Sequence, residues 1–144
     1  MAEIKTVPTG ASVSQFINAI DDDQRRKDCK VMVGIMEKAT KSKARMFGDA
    51  IVGFGTLTYF NSAKKPQPWF ECGFSPRKQA LTLYLMGGFP KNDAAVAKKL
   101  GKFKIGGGCV YIKSLDDVHL PTLRTVIAGT LKRLKAKKVE RGWV

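Results

Sequence analysis

Between residues 50 and 86 the chain is rich in aromatic and β-branched residues broken by glycine and proline, while the apolar spacing on both flanks is helical. Strands are read at Ala50–Phe54, Thr56–Phe60, Trp69–Phe74 and Ala80–Met86. No helical pattern separates them, and parallel strands need a long crossover between neighbours, so the pattern predicts antiparallel pairing. The expectation is an α+β fold: an antiparallel sheet of about five strands with N- and C-terminal helices packed on one face. A doubly wound nucleotide fold is excluded.

The helical flanks carry their own signals. Ser12 caps a short helix through Ile20, with Val13, Phe16, Ile17 and Ile20 on one side. Asp21, Asp22 and Asp23 supply a cap and first-turn acids for a second helix to about Thr40, whose apolar face is Cys29, Met32, Val33, Met36 and Ala39. A third helix is capped by Asn92, runs through Ala94, Val96, Ala97 and Leu100, and stops at Gly101. Gly106 to Gly108 lead into a fifth strand, Cys109–Lys113. The last helix has the most regular stripe in the chain: Leu120, Leu123, Ile127, Leu131 and Leu134, with Pro121 in its first turn. Lys64–Pro68 reads as a loop and Ser75–Lys78 as a tight connection.

Charge narrows the partners. Among 144 residues, 26 Lys and Arg face 12 Asp and Glu, a formal net charge of +14. Such a surface attracts polyanions at long range. The cations are spread along the whole chain, densest in Lys132, Arg133, Lys135, Lys137, Lys138 and Arg141. That end is read as a solvated basic helix end or as a nonspecific track for nucleic-acid phosphates. No apolar run reaches the roughly 18 residues of a membrane span, and Met1 to Gly10 has no signal-peptide core, so a cytoplasmic protein without a membrane partner is expected. Cys29, Cys72 and Cys109 form no CxxC, and His119 is the one histidine, so the cysteines read as small buried apolar residues.

Several blocks together carry a resemblance. Phe47-Gly48-Asp49-Ala50-Ile51-Val52-Gly53-Phe54-Gly55, then Trp69, then Gly73-Phe74-Ser75-Pro76-Arg77-Lys78, resemble the YdhG-like family, a domain of unknown function. Leu81–Leu85, Lys99–Lys102, Gly108–Lys113 and Leu115–Val118 follow in the matching order. The resemblance covers about residues 12 to 130 and implies an N-terminal tail at 1–11, a YdhG-like domain at 12–131 and a basic C-terminal helix end at 132–144. It implies a frataxin-like architecture and, as an alternative function, intracellular iron binding or delivery. Phe47 stands where the family usually has tryptophan, and His119 where it usually has a third aspartate.

Iron prefers oxygen and imidazole ligands. The one dense acidic run, Asp21-Asp22-Asp23, is flanked by Arg25, Arg26 and Lys27, and helix capping accounts for it. No cofactor is predicted. Arg77 and Lys78 are the sharper candidates: the Ser-Pro-Arg-Lys turn presents a hydroxyl, a guanidinium and an ammonium together, suited to phosphate or carboxylate. Trp69, Tyr84 and Tyr111 complete the candidate site as a stacking surface on a sheet face left open to a ligand. Strand alternation sets Trp69 opposite Phe70, Cys72 and Phe74. Lys104–Gly108 lacks the GK[ST] ending and following helix of a phosphate loop and reads as a connection. No triad or paired-acid pattern appears, so a non-enzymatic module for a small anionic ligand or a protein partner is expected.

Overall fold

The computed structural model describes residues 9–60, 65–89, 94–106 and 109–141. Helices α1 (Val13–Asn18) and α2 (Asp23–Thr40) precede strands β1 (Arg45–Phe47), β2 (Ile51–Phe54), β3 (Leu57–Phe60), β4 (Pro66–Trp69), β5 (Cys72–Pro76) and β6 (Leu81–Leu85). Helix α3 (Ala94–Leu100), strands β7 (Lys104–Gly106) and β8 (Cys109–Ile112), a 3₁₀ turn (Leu115–Asp117) and helix α4 (Leu120–Arg141) follow. The architecture is α+β. Six strands form one antiparallel sheet in the order β1-β2-β5-β6-β8-β7, and β3 and β4 form a separate two-stranded ribbon.

The caps sit where side-chain chemistry puts them. The Ser12 hydroxyl accepts from the Gln15 N–H at 3.1 Å, and the Asp22 carboxylate accepts from the Arg25 N–H at 2.9 Å. Lys41 closes α2 in the left-handed region at φ 55°. The cap expected from Asn92 lies outside the described residues, as do Lys64 and residues 1–8.

Strand alternation separates two sheet faces. On the first, Met46, Val52, Phe74, Leu83, Val110 and Ile105 stand in register across all six strands. Cys29, Met32 and Met36 of α2 and Leu123, Val126 and Ile127 of α4 close over this face, forming the main core. Helices α2 and α4 touch the sheet, whereas α1 packs on α2 and α3 on α4. The buried Asp28 carboxylate ties the layers together, accepting from the Leu115 N–H at 3.0 Å and the Gln24 amide at 2.8 Å.

The stripe expected in the last helix continues to Leu134, which is fully buried. Beyond it the basic residues divide. Arg133 donates to the carbonyls of Gly87 and Gly88 at 3.2 and 2.6 Å, Lys137 to that of Met86 at 3.3 Å, and Lys138 pairs with Glu71 at 3.4 Å. Lys132 and Lys135 are exposed.

Three expectations need correction. The main sheet has six strands rather than about five, because β1 and β7 join it while β3 leaves it to pair with the added β4 in the ribbon; β1 and β7 have three residues, too short to show a period, and β4 carries two prolines. Residues 66–68, read as loop, belong to β4. The strand expected at Trp69–Phe74 is broken at Phe70 and Glu71, which form a corner between β4 and β5. Because of that corner, Phe70 packs beside Trp69 rather than facing away from it with Cys72 and Phe74.

Candidate functional site

Among the described residues no helix side chain joins the cluster on the second face of the sheet, and that face divides in two. Its β1–β2 half holds a small cluster of Phe47, Ile51 and Phe70, with Trp69, Tyr84 and Met86 packed against it. The Phe47 and Phe70 rings meet edge-on at 5.0 Å, and Trp69 stacks on Phe70 at 4.4 Å. Gly53 and Gly73 make this possible: a Cβ on Gly53 would fall 2.6 Å from the Phe47 ring and 2.8 Å from the Phe70 ring. Glycine here is a condition of the packing.

The other half is a cleft of about 920 Å³ built on β6, β8 and β7. Register explains its shape. Tyr84 pairs with Cys109 and Cys109 with Gly106; one step along, Thr82 pairs with Tyr111 and Tyr111 with Lys104. Small side chains at Ala80, Thr82 and Cys109 leave a depression between larger ones. Arg77, Lys102, Lys104 and Lys113 also line it, with Asp117 as the one acidic lining residue. The electrostatic character of the cleft is therefore cationic.

Arg77 stands on the β6 side. Its guanidinium donates to the Tyr84 hydroxyl at 3.1 Å, and that bond, followed by the nearby Tyr84, Cys109 and Asp49 groups, raises its pKa further above the usual arginine range. Its carbonyl accepts from Arg25 of α2 at 3.1 Å, which fixes the turn. Tyr111, 36 % exposed, stands on the central strand of the three. Its hydroxyl donates to the Gly106 carbonyl at 3.3 Å, and its ring passes 3.4 Å from where a Gly106 Cβ would stand. The ring is thereby pinned across β7.

Arg77, Tyr84 and Tyr111 thus meet in one cleft. Lys78 is exposed and does not line it. Trp69 belongs to the packed half, where its indole N–H donates to the Met86 sulfur at 3.2 Å. The Ser75 hydroxyl is also turned away: it is buried and donates to the Ala50 carbonyl at 2.6 Å, which removes it from the expected hydroxyl–guanidinium–ammonium turn. Lys102, Lys104 and Lys113 are lining residues that the sequence reading missed. Lys102 and Lys113 lie just outside β7 and β8, and Lys104 opens a strand of three residues, so no strand period marks them.

Of the three cysteines, Cys29 and Cys72 are fully buried, and burial pushes both thiols up to about 12. Cys109 is half-buried in the cleft. Burial raises its pKa, opposed by the neighbouring Tyr111 hydroxyl and by the Arg77 charge. The acidic run is engaged in helix chemistry: Asp22 caps α2 and Asp23 pairs with Arg26, while Asp21 is exposed beside them. Among the described residues no group of three or more His, Cys, Asp or Glu is placed to share a metal ion. No helix among them is long and apolar enough to cross a membrane.

Comparison with family models, curated proteins and solved structures returns no match to this chain.

Proposed function

We propose that this protein is a YdhG-like, non-enzymatic binding module of the cytoplasm that takes a small anionic ligand in the cleft of its second sheet face. The observation that carries the reading is the meeting of Arg77, Lys102, Lys104 and Lys113 around a depression floored by small side chains. Four cations against one carboxylate favour an anion. A guanidinium already held by a tyrosine hydroxyl loses less freedom on binding than a free one. The family resemblance agrees with a binding role and supplies no reaction. Cys109, the thiol in the lining, is raised by burial, which disfavours the thiolate a nucleophile needs.

The test is a thermal-shift panel of sulfate, phosphate, pyrophosphate and citrate. A ligand present at about 100 times its Kd adds about 2.7 kcal/mol of apparent stability, well within reach of the method. At least one of the anions should raise the melting temperature, and Arg77→Ala should remove the shift while leaving the unliganded melting temperature nearly unchanged. A panel with no shift, or a shift that survives the substitution, rejects the reading.

A further inference from the structure

We propose that the ligand of this cleft is a free nucleotide, its phosphates held by the cations and its base stacked on Tyr111. This rests on the anion-binding reading above and goes beyond it by naming the ligand class.

Three observations point beyond a lone phosphate or carboxylate. The first is size. About 920 Å³ lies at the upper end of the range found for clefts that enclose whole cofactors and metabolites. The second is the placing of the charges. Arg77 follows β5 and its guanidinium is held on the Tyr84 hydroxyl of β6, while Lys104 stands on β7, with β8 between those two strands. Neighbouring strands lie about 4.8 Å apart, so β6 and β7 are about 10 Å from each other. A chain of phosphates joined to a sugar and a base can engage cations set on strands that far apart.

The third observation is the ring. Tyr111 is an aromatic side chain that stays exposed. It is also held in place, its hydroxyl bound to the Gly106 carbonyl and its ring lying over a residue with no side chain. A ring fixed at both ends and open to the cleft is a pre-organised stacking platform. Every nucleobase has a π-face to place on it, and stacking is tolerant of which base it is. Phe103, half-buried against Phe89 at 5.1 Å, adds an apolar wall to the same cleft.

The same features separate a free nucleotide from a nucleic-acid strand. Strand-tracking surfaces offer successive rings for successive bases. Here Trp69 and Tyr84 are occupied, one with Phe70 and Met86 and the other with Arg77, which leaves Tyr111 as the platform of the three.

The test uses four probes on the full chain by titration calorimetry: ADP, adenosine, pyrophosphate and a decathymidylate. ADP should bind about tenfold more tightly than pyrophosphate and more tightly still than adenosine, because one stacked base is worth about a factor of ten. Tyr111→Ala should bring ADP down to the pyrophosphate level while leaving pyrophosphate itself unchanged. Tyr111→Leu, which keeps the bulk and removes the π-face, should do the same and covers any folding defect in the alanine variant. ADP should also slow iodoacetamide alkylation of Cys109, which shares the cleft with Tyr111.

Equal affinity for ADP and pyrophosphate, or ADP affinity indifferent to both Tyr111 variants, overturns the nucleotide assignment and leaves the anion reading standing. Unslowed Cys109 alkylation under saturating ADP overturns the location. Decathymidylate binding more tightly than ADP at equal nucleotide concentration overturns the free nucleotide in favour of a strand. Absence of binding by both ADP and pyrophosphate removes this inference and, together with a silent anion panel, the reading beneath it.

Discussion

One row of residues crosses the second sheet face from edge to edge, and its two ends behave differently. Arg45, Gly53, Gly73, Tyr84, Cys109 and Gly106 stand in register across β1, β2, β5, β6, β8 and β7. At the β1–β2 end the glycines are roofed by Phe47 and Phe70, rings sent over them by the β1 strand and by the corner after β4. At the β7 end Gly106 meets only the rim of Tyr111. Similar sheet geometry thus becomes a second core where aromatic residues close over it and a cleft where lysines stand around it. Burial stabilises the first half; the charges of the second stand around an open cleft.

The largest test of this contrast removes the roof. Phe70 is fully buried between Phe47, Trp69 and Tyr84. Phe70→Ala should cost about 3–5 kcal/mol in denaturant unfolding, the range for losing a buried aromatic side chain. A loss below about 1 kcal/mol would mean that this half is as open as the cleft, and the comparison would break.

A pair of glycine substitutions sharpens it. Gly53→Ala forces a methyl group to within 2.6–2.8 Å of two packed rings and should cost about 1–3 kcal/mol. Gly106→Ala meets an ordinary 3.4 Å contact and should stay within about 0.5 kcal/mol. The two melting curves, compared directly, measure how differently one row of the sheet is covered at its ends. Equal costs would reject the distinction.

Much of this was legible beforehand, and the exceptions share a cause. Local chemistry could be read locally: the Ser12 and Asp22 caps, the stripe from Leu120 to Leu134, the stop at Gly101, and the antiparallel α+β arrangement implied by uninterrupted strands. Arg77, Tyr84 and Tyr111 were found because each stands in a clear strand or turn signal. Lys102, Lys104 and Lys113 were missed because β7 has three residues, two of them polar or glycine, and its pairing with β8 is a contact that no short window of sequence encodes. Trp69 was assigned to the site by unbroken alternation from Trp69 to Phe74. The corner at Phe70 and Glu71 ends that alternation, and a single irregular residue pair is invisible to a period of two. Ser75 shows the same limit: its hydroxyl was counted toward the turn, but the Ala50 carbonyl across the sheet claims it.

On the cleft side the expected effect on stability is small and the effect on binding is complete. Arg77 is exposed, and its bond to Tyr84 is made at the surface. Arg77→Ala should shift unfolding by no more than about 0.5 kcal/mol while removing anion-dependent stabilisation. A large loss of stability would make Arg77 a structural residue and erase the division of labour between the halves.

The smallest effect is a rate, and it reports on the cleft's electrostatics. Alkylation proceeds through the thiolate, so it follows the fraction of each cysteine that is ionised and accessible. Cys29 and Cys72 are buried with thiols near 12, so native protein at pH 8 should take up label at Cys109 alone, as peptide mass spectrometry would show. The Cys109 thiol is itself raised by burial, so its rate should go on climbing with pH past the point where an ordinary thiol levels off. Arg77 opposes that rise, because a nearby cation favours the thiolate. Taking the cation away raises the thiol further, leaves less thiolate at any pH below it, and should slow labelling in Arg77→Ala at pH 8. Faster labelling in that variant would mean that the guanidinium acts on Cys109 mainly as a steric cover, and that the field assigned to the cleft does not reach its floor.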